Sequence, residues 1–181
     1  MSRIVPVLES GFATEQWAKR PVYLDCAATT PLDPRVRDEM LYSLDCEFGN
    51  PGSRTHAYGQ AARQAVERAR AQVARVAGAL RNEVVFTSGA TESNNLALLG
   101  LEAYGRRQRR MHIVSTRIEH HAVLEPLRVL GDRGFELTLV DPELGGWVDA
   151  ARVASVVRPD TLLVSVMQVN NETGEIGRAH V

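Results

Sequence analysis

The sequence predicts an α/β fold, a mostly parallel sheet with helices on both faces. Three observations predict it. Short apolar runs at 83–87, 112–115, 135–140 and 162–167 read as buried strands. A segment of helical period lies between each run and the next. That alternation implies right-handed crossovers, which make the strands parallel and lay helices over both faces. Third, 181 residues with 44% hydrophobic and 24% charged side chains suffice for one medium core. A chain of this size buries roughly 70% of its unfolded surface.

Residues 1–20 have no clear period and read as a lead-in. Val22-Tyr23-Leu24 is a short extended segment, and the small polar stretch 27–31 a turn. Asp33-Pro34 starts a helix that runs to about Leu44, because Asp caps free amides and Pro suits the first turn. Gly49-Asn50-Pro51-Gly52-Ser53 is a loop. Over 58–77, Ala62, Ala65, Val66, Ala69, Val73, Val76 and Ala77 recur on one helical face, and Gly78 ends the helix. The strand at 83–87 then leads through Ser88-Gly89-Ala90, a tight turn, into a helix over 91–104 that Gly105 stops. The remaining chain repeats the pattern: strand 112–115, helix 122–133, strand 135–140, a helix capped by Asp149 to about Val157, and strand 162–167.

Bulk properties exclude several classes. A net charge of −1 leaves no electrostatic footprint for nucleic acid. Arg106, Arg107, Arg109 and Arg110 read as a solvated helix end rather than a phosphate patch. No apolar run approaches the ~18 residues that span a bilayer, and the first 16 residues do not read as a signal peptide. Cys26 and Cys46 cannot form a disulfide framework, so a reducing cytoplasm is the expected compartment. Of the 21 basic residues, all but Lys19 are Arg. Chemistry that needs a lysine amine must use Lys19 or take the lysine from elsewhere.

Ligands of open α/β sheets bind beyond the carboxyl ends of the strands, and three such ends carry chemistry here. After 83–87 comes Thr87-Ser88-Gly89-Ala90-Thr91-Glu92, where a small-residue turn meets a helix start and forms either a phosphate cradle or a plainly capped turn. After 112–115 comes Ile118-Glu119-His120-His121-Ala122. His120 can stack on a planar ligand or move a proton, or be a surface histidine. Adjacent histidines point different ways and the cysteines have no ligand spacing, so no metal site is expected. After 162–167 comes Gln168-Val169-Asn170-Asn171-Glu172-Thr173-Gly174, an amide donor or an Asn-rich turn. Together the three ends suit a planar, phosphorylated ligand, which pyridoxal 5′-phosphate matches well.

Five motifs now carry a resemblance. Tyr23-Leu24-Asp25-Cys26-Ala27-Ala28-Thr29-Thr30-Pro31, Phe48-Gly49-Asn50-Pro51-Gly52-Ser53-Arg54-Thr55-His56, the stretch 86–95, Glu119-His120-His121-Ala122-Val123-Leu124 and Val169-Asn170-Asn171-Glu172-Thr173-Gly174 resemble the cysteine desulfurases in order and spacing. These are class V aminotransferase-like enzymes with the fold type I large domain of pyridoxal-phosphate enzymes. The resemblance implies pyridoxal 5′-phosphate as cofactor and L-cysteine as substrate, with alanine and an enzyme persulfide as products. The sulfur would pass to an acceptor protein, such as a scaffold for iron–sulfur cluster assembly. It implies a homodimer at full length. It casts Ala90 and Thr91 as the phosphate-binding pair, His120 as the catalytic residue whose ring stacks on the pyridine, and Asn171 as the amide on the cofactor's phenolic oxygen. The loop 50–56 resembles one that shapes the site with help from a second subunit. Cys26 reads as structural.

The resemblance runs over 21–174 and stops there. The family's Asp for the pyridine nitrogen, its cofactor-carrying lysine and its nucleophilic cysteine match no position; Lys19, Cys26 and Cys46 all lie elsewhere. The chain therefore reads as an incomplete, N-terminal portion of a desulfurase, inactive by itself. Residues 175–181 read as a foreign tail, since one reading frame of a common sequencing adapter encodes those seven residues. A selenocysteine lyase, another class V aminotransferase-like enzyme, and a non-catalytic phosphate-binding α/β module are the alternatives.

Overall fold

The structure is a computed structural model that describes residues 21–26 and 28–174. The lead-in 1–20 with Lys19, the tail 175–181 and Ala27 lie outside the described residues. The chain divides into two compact units, Met1–Glu39 and Met40–Val181.

In the first unit, Val22 and Leu24 are exposed and join no sheet. The Asp25 carbonyl accepts from the Ala28 and Thr29 amides at 3.1 and 3.3 Å, which makes the expected turn. Helix α1 (Pro34–Cys46), whose residues 40–46 belong to the second unit, starts where Asp33 Oδ1 accepts from the Arg35 amide at 2.8 Å.

The second unit carries α2 (Ala57–Ala77), a 3₁₀ turn (Arg81–Glu83), α3 (Ala90–Gly100), α4 (Glu102–Gln108), β1 (His112–Thr116), α5 (His121–Asp132), β2 (Glu136–Val140), α6 (Ala150–Ser155) and β3 (Thr161–Val164). The three strands form a parallel sheet in the order β2-β1-β3. Ile113 lies beside Leu137 and Leu163, and Val114 beside Thr138 and Val164. Alternation along the strands sends these two sets to opposite faces. On one face Ile113 packs with Leu98 of α3 and with Val123, Leu127 and Leu130 of α5. On the other, Val114 and Val140 pack with Val148 and, from α6, Val153. Helices therefore cover both faces, as the alternating pattern predicts.

β1 is wholly buried and also carries polar groups, each of them paired. His112 Nδ1 meets Thr161 Oγ1 at 2.8 Å and its Nε2 meets Thr138 Oγ1 at 2.9 Å. Burial, helped by the nearby Arg158 guanidinium, pushes this imidazole below its ordinary value. His112 thus ties β1 to both neighbours as a neutral ring.

Three expectations are corrected. The strand at 83–87 does not form. Arg81–Glu83 is a 3₁₀ turn, 84–87 joins no ladder, and Val85 and Phe86 are exposed. An apolar run becomes a strand only where a second backbone pairs with it. Here Arg70 substitutes, bonding the Val84 carbonyl and lying 5.1 Å over the Phe86 ring. The helix at 91–104 is two helices that break at Leu101, and Gly105 does not end it. Gly105 is buried inside α4, where a Cβ would sit 2.7 Å from Leu162 Cδ2 and 3.0 Å from Phe135 Cε1. The stop is Arg109, left-handed at φ 55°, with the Arg110 amide closing back on the Gly105 carbonyl at 2.9 Å. Finally, β3 ends at Val164 rather than 167. The chain then turns toward the loop after β1, although the Ser165 amide still reaches the Val114 carbonyl at 2.9 Å.

Candidate functional site

The first candidate group is the start of α3. Gly89 precedes it in extended conformation and no side chain caps it. First-turn amides have no acceptor inside their own helix, and the helix dipole makes this end positive. A Cβ on Gly89 would meet nothing within 4 Å, so space is open beside these amides. Ala90 and Thr91 are both exposed there. Glu92 folds back, and its Oε2 accepts from the Ser88 amide and hydroxyl at 2.6 Å each. Those bonds hold the Glu92 carboxyl below its usual range. Thr87 Oγ1 lies 2.7 Å from Ser93 Oγ and donates to the Gly89 carbonyl at 3.2 Å, which fixes the turn. The arrangement can receive a phosphate. Glu92 is a negative charge already sitting at the same helix end.

The second group is His120, the cap of α5. Its Nδ1 accepts from the Ala122 amide at 3.0 Å. That bond puts the proton of the neutral ring on Nε2 and fixes the ring's orientation. The ring is exposed, and the His121 ring stands 6.3 Å away at 70°. His120 therefore offers a flat face and one N–H.

The third group is the pair Asn170-Asn171, which the structure divides. Asn170 is buried; its Oδ1 accepts from the Glu172 and Thr173 amides at 2.9 and 3.0 Å, and its Nδ2 donates to the Ile118 carbonyl at 3.0 Å. Asn171 is exposed, with its Nδ2 donating to Glu172 Oε1 at 2.9 Å. Asn170 therefore builds the turn, while Asn171 keeps its side-chain amide at the surface.

The loop at 50–56 is tightly built. Asn50 Oδ1 accepts from the Gly52 amide at 2.8 Å, Ser53 Oγ meets His56 Nε2 at 3.0 Å, and His56 Nδ1 caps α2 on the Gly59 amide at 3.2 Å. A Cβ on Gly49 would overlap the Tyr58 carbonyl, so only glycine allows the chain to close here.

Because β1 and β3 are parallel neighbours, the loops bearing His120 and Asn171 leave the same sheet edge and are hydrogen-bonded to each other. Ala90 and Thr91 arrive on α3, which packs on α5 through Leu98, Val123 and Leu127. Among the described residues no hydrogen bond links that helix start to His120 or Asn171. Sequence reasoning passed over Glu119, which is buried with its Oε1 accepting from Thr116 Oγ1 at 2.9 Å and from the Met167 amide at 2.7 Å. Burial pushes its carboxyl up, against those two bonds. The one available signal was an acid placed beside a candidate ligand histidine at a strand end.

A parallel sheet sandwiched by helices, with an uncapped helix start and polar loops beyond its strand ends, is the architecture of a fold type I domain of the pyridoxal-phosphate enzymes. The class-V aminotransferase family model matches residues 22–179, and the chain belongs to that family. It is 49% identical over 160 residues to the cysteine desulfurase IscS of Vibrio cholerae serotype O1, covering 87% of this chain and 39% of that relative. Among solved structures it is similar to DndA from Streptomyces lividans, at 54% identity and a TM-score of 0.76 over 87% of this chain and 44% of that one. It is also similar to a NifS-like protein, at 41% identity and a TM-score of 0.80 over 87% of this chain and 43% of that one. The chain therefore spans less than half the length of these relatives. No helix among the described residues is long and apolar enough to cross a membrane.

Proposed function

We propose that the chain is the cofactor-binding N-terminal portion of a cytoplasmic, pyridoxal-phosphate-dependent cysteine desulfurase. The whole enzyme would take sulfur from L-cysteine, leave alanine, and work as a homodimer that hands sulfur to an acceptor such as an iron–sulfur scaffold. One observation carries the reading: three polar groups following strand or extended segments occur in a chain 49% identical to a protein named as a cysteine desulfurase. That likeness favours it over a selenocysteine lyase or a non-catalytic module.

The residues present fit the cofactor, since an uncapped helix start beside open space suits a phosphate. Pyridoxal phosphate, when bound, supplies an electron sink for bond breaking at the substrate's α-carbon. The Ala90 and Thr91 amides and the Thr91 hydroxyl would hold the phosphate. His120 would lay its ring against the pyridine and keep a proton at Nε2, because Nδ1 is committed to Ala122. Asn171 would turn its amide from Glu172 to the phenolic oxygen. Loop 50–56 would shape the surroundings of the site, with help from a second subunit. Residues 21–174 contain no lysine, so the amine that carries the cofactor is not supplied by the described part of the chain.

Titrating pyridoxal 5′-phosphate into the ¹⁵N-labelled chain tests this. Resonances of Ala90, Thr91, His120 and Asn171 should shift together, and pyridoxal without phosphate should leave Ala90 and Thr91 in place. Shifts confined to other residues overturn the assignment. The chain as given should not convert cysteine to alanine; measurable turnover refutes the reading of a partial enzyme.

A further inference from the structure

The loops that follow β1 and β3 are held together by two reciprocal ties. Glu119 reaches across to the second loop, where its Oε1 accepts from the Met167 amide at 2.7 Å. Asn170 reaches back to the first, where its Nδ2 donates to the Ile118 carbonyl at 3.0 Å. Each tie is anchored on its own side. Thr116 Oγ1 at the end of β1 donates to the same Glu119 oxygen at 2.9 Å. Asn170 Oδ1 accepts from the Glu172 and Thr173 amides and closes its loop into a turn. Both tie residues are buried, at 8% and 6% exposure. Each immediately precedes an exposed residue of the candidate site, Glu119 before His120 and Asn170 before Asn171.

We propose that Glu119 and Asn170 are positioning residues, which set the spacing between the His120 ring and the Asn171 amide by latching one strand-end loop to the other. The proposal rests on the cofactor-site reading above and names what keeps that site in shape. Strand-end loops are ordinarily among the more mobile parts of a fold. Two side-chain-to-backbone bonds crossing in opposite directions remove the sliding and hinging that one bond would allow. The donors Glu119 meets are a hydroxyl and an amide, and no cation bonds it among the described residues. A buried carboxyl in that setting is a costly way to fill space. The cost is explained if both its acceptor contacts are needed where they lie.

Three variants of the full 181-residue chain decide the matter. Glu119→Ala removes one tie. Asn170→Asp removes the other, losing the donor to Ile118 while keeping the oxygen that closes the turn. Glu119→Gln keeps the accepting oxygen. Without any ligand, Glu119→Ala and Asn170→Asp should each shift and broaden the His120 ring and Asn171 side-chain amide resonances. The methyl resonances of Leu127 and Leu130 should stay in place, and Glu119→Gln should restore the first set. With ligand, each tie-breaking variant should weaken pyridoxal 5′-phosphate binding about tenfold, as expected for one lost buried hydrogen bond. Affinity for inorganic phosphate at the start of α3 should hold. Unmoved His120 and Asn171 resonances overturn the proposal, as does equal loss of both affinities together with core shifts. If Glu119→Ala does not fold, Asn170→Asp still breaks one tie, and its readings are set against Glu119→Gln as the variant that keeps both. The ligand-free arm stands when pyridoxal 5′-phosphate fails to bind the wild type, so a failed cofactor reading and a failed latch are told apart.

Discussion

Helices α2 and α5 carry the same kind of apolar stripe and come to different ends. α5 has 12 residues and buries five of them, Ala122, Val123, Pro126, Leu127 and Leu130, against the sheet and α3. α2 has 21 residues and buries three, Gly59, Ala62 and Ala74. Its predicted face is covered at Ala62 and half-covered at Ala65, Val66 and Ala69, but Val73 and Val76 are exposed. Amphipathic period therefore fixes which face a helix would bury, and a facing surface decides whether it is buried. α2 instead draws definition from its ends, the His56 cap and left-handed Gly78. It draws more from Arg70 on the 84–86 segment.

The sharpest way to break that contrast is to truncate matched positions. Leu127→Ala should cost about 2–5 kcal/mol of unfolding free energy, because a well-packed site cannot collapse around the lost atoms. Val76→Ala should stay within about 0.5 kcal/mol, as exposed substitutions usually do. Urea unfolding checks both, and a costly Val76→Ala would mean that α2 has a covering surface after all. A smaller effect should mark the sheet region alone. His112 is held below its ordinary value by burial, so the unfolded chain binds a proton more readily than the folded one. Stability should be full above about pH 6.5, the unfolded value, and fall as pH drops through the folded one. Replacing His112 by Gln should flatten the dependence of the urea midpoint in that window; an unchanged slope would assign it to another group. The smallest effect lies at the start of α3. Glu92→Gln removes a negative charge from the positive helix end and should strengthen inorganic phosphate binding about two- to fivefold. Calorimetric titration checks it, and unchanged or weaker binding would place the anion elsewhere.

Much of this was legible in the sequence, and what was not has a common cause. α2, α5 and the strands expected at 112–115 and 135–140 are specified by their own residues through period and capping groups, and they form within a residue of those bounds. The run at 83–87 had the right residues and no paired backbone, which a local pattern cannot reveal. Gly105 suits a helix stop by residue type alone; its real constraint is the approach of Leu162 and Phe135, distant in sequence. The site divides the same way. Ala90, Thr91, His120 and Asn171 stood out because residue types and flanking turns are local, and because the family resemblance assigned them roles that the local pattern left open. Glu119 and Asn170 did not, because their contacts reach 48 and 52 residues along the chain.

The short β3 carries a last consequence. Among the described residues it pairs with β1 alone, so its other backbone edge offers donors and acceptors in register. Beside that edge lies a cavity of about 310 Å³ lined by Leu98, Leu101, Leu163 and Val166. An open edge next to an oily cleft is a template for strand addition by another chain. The segment around Val164 is accordingly where another extended backbone could pair with this sheet.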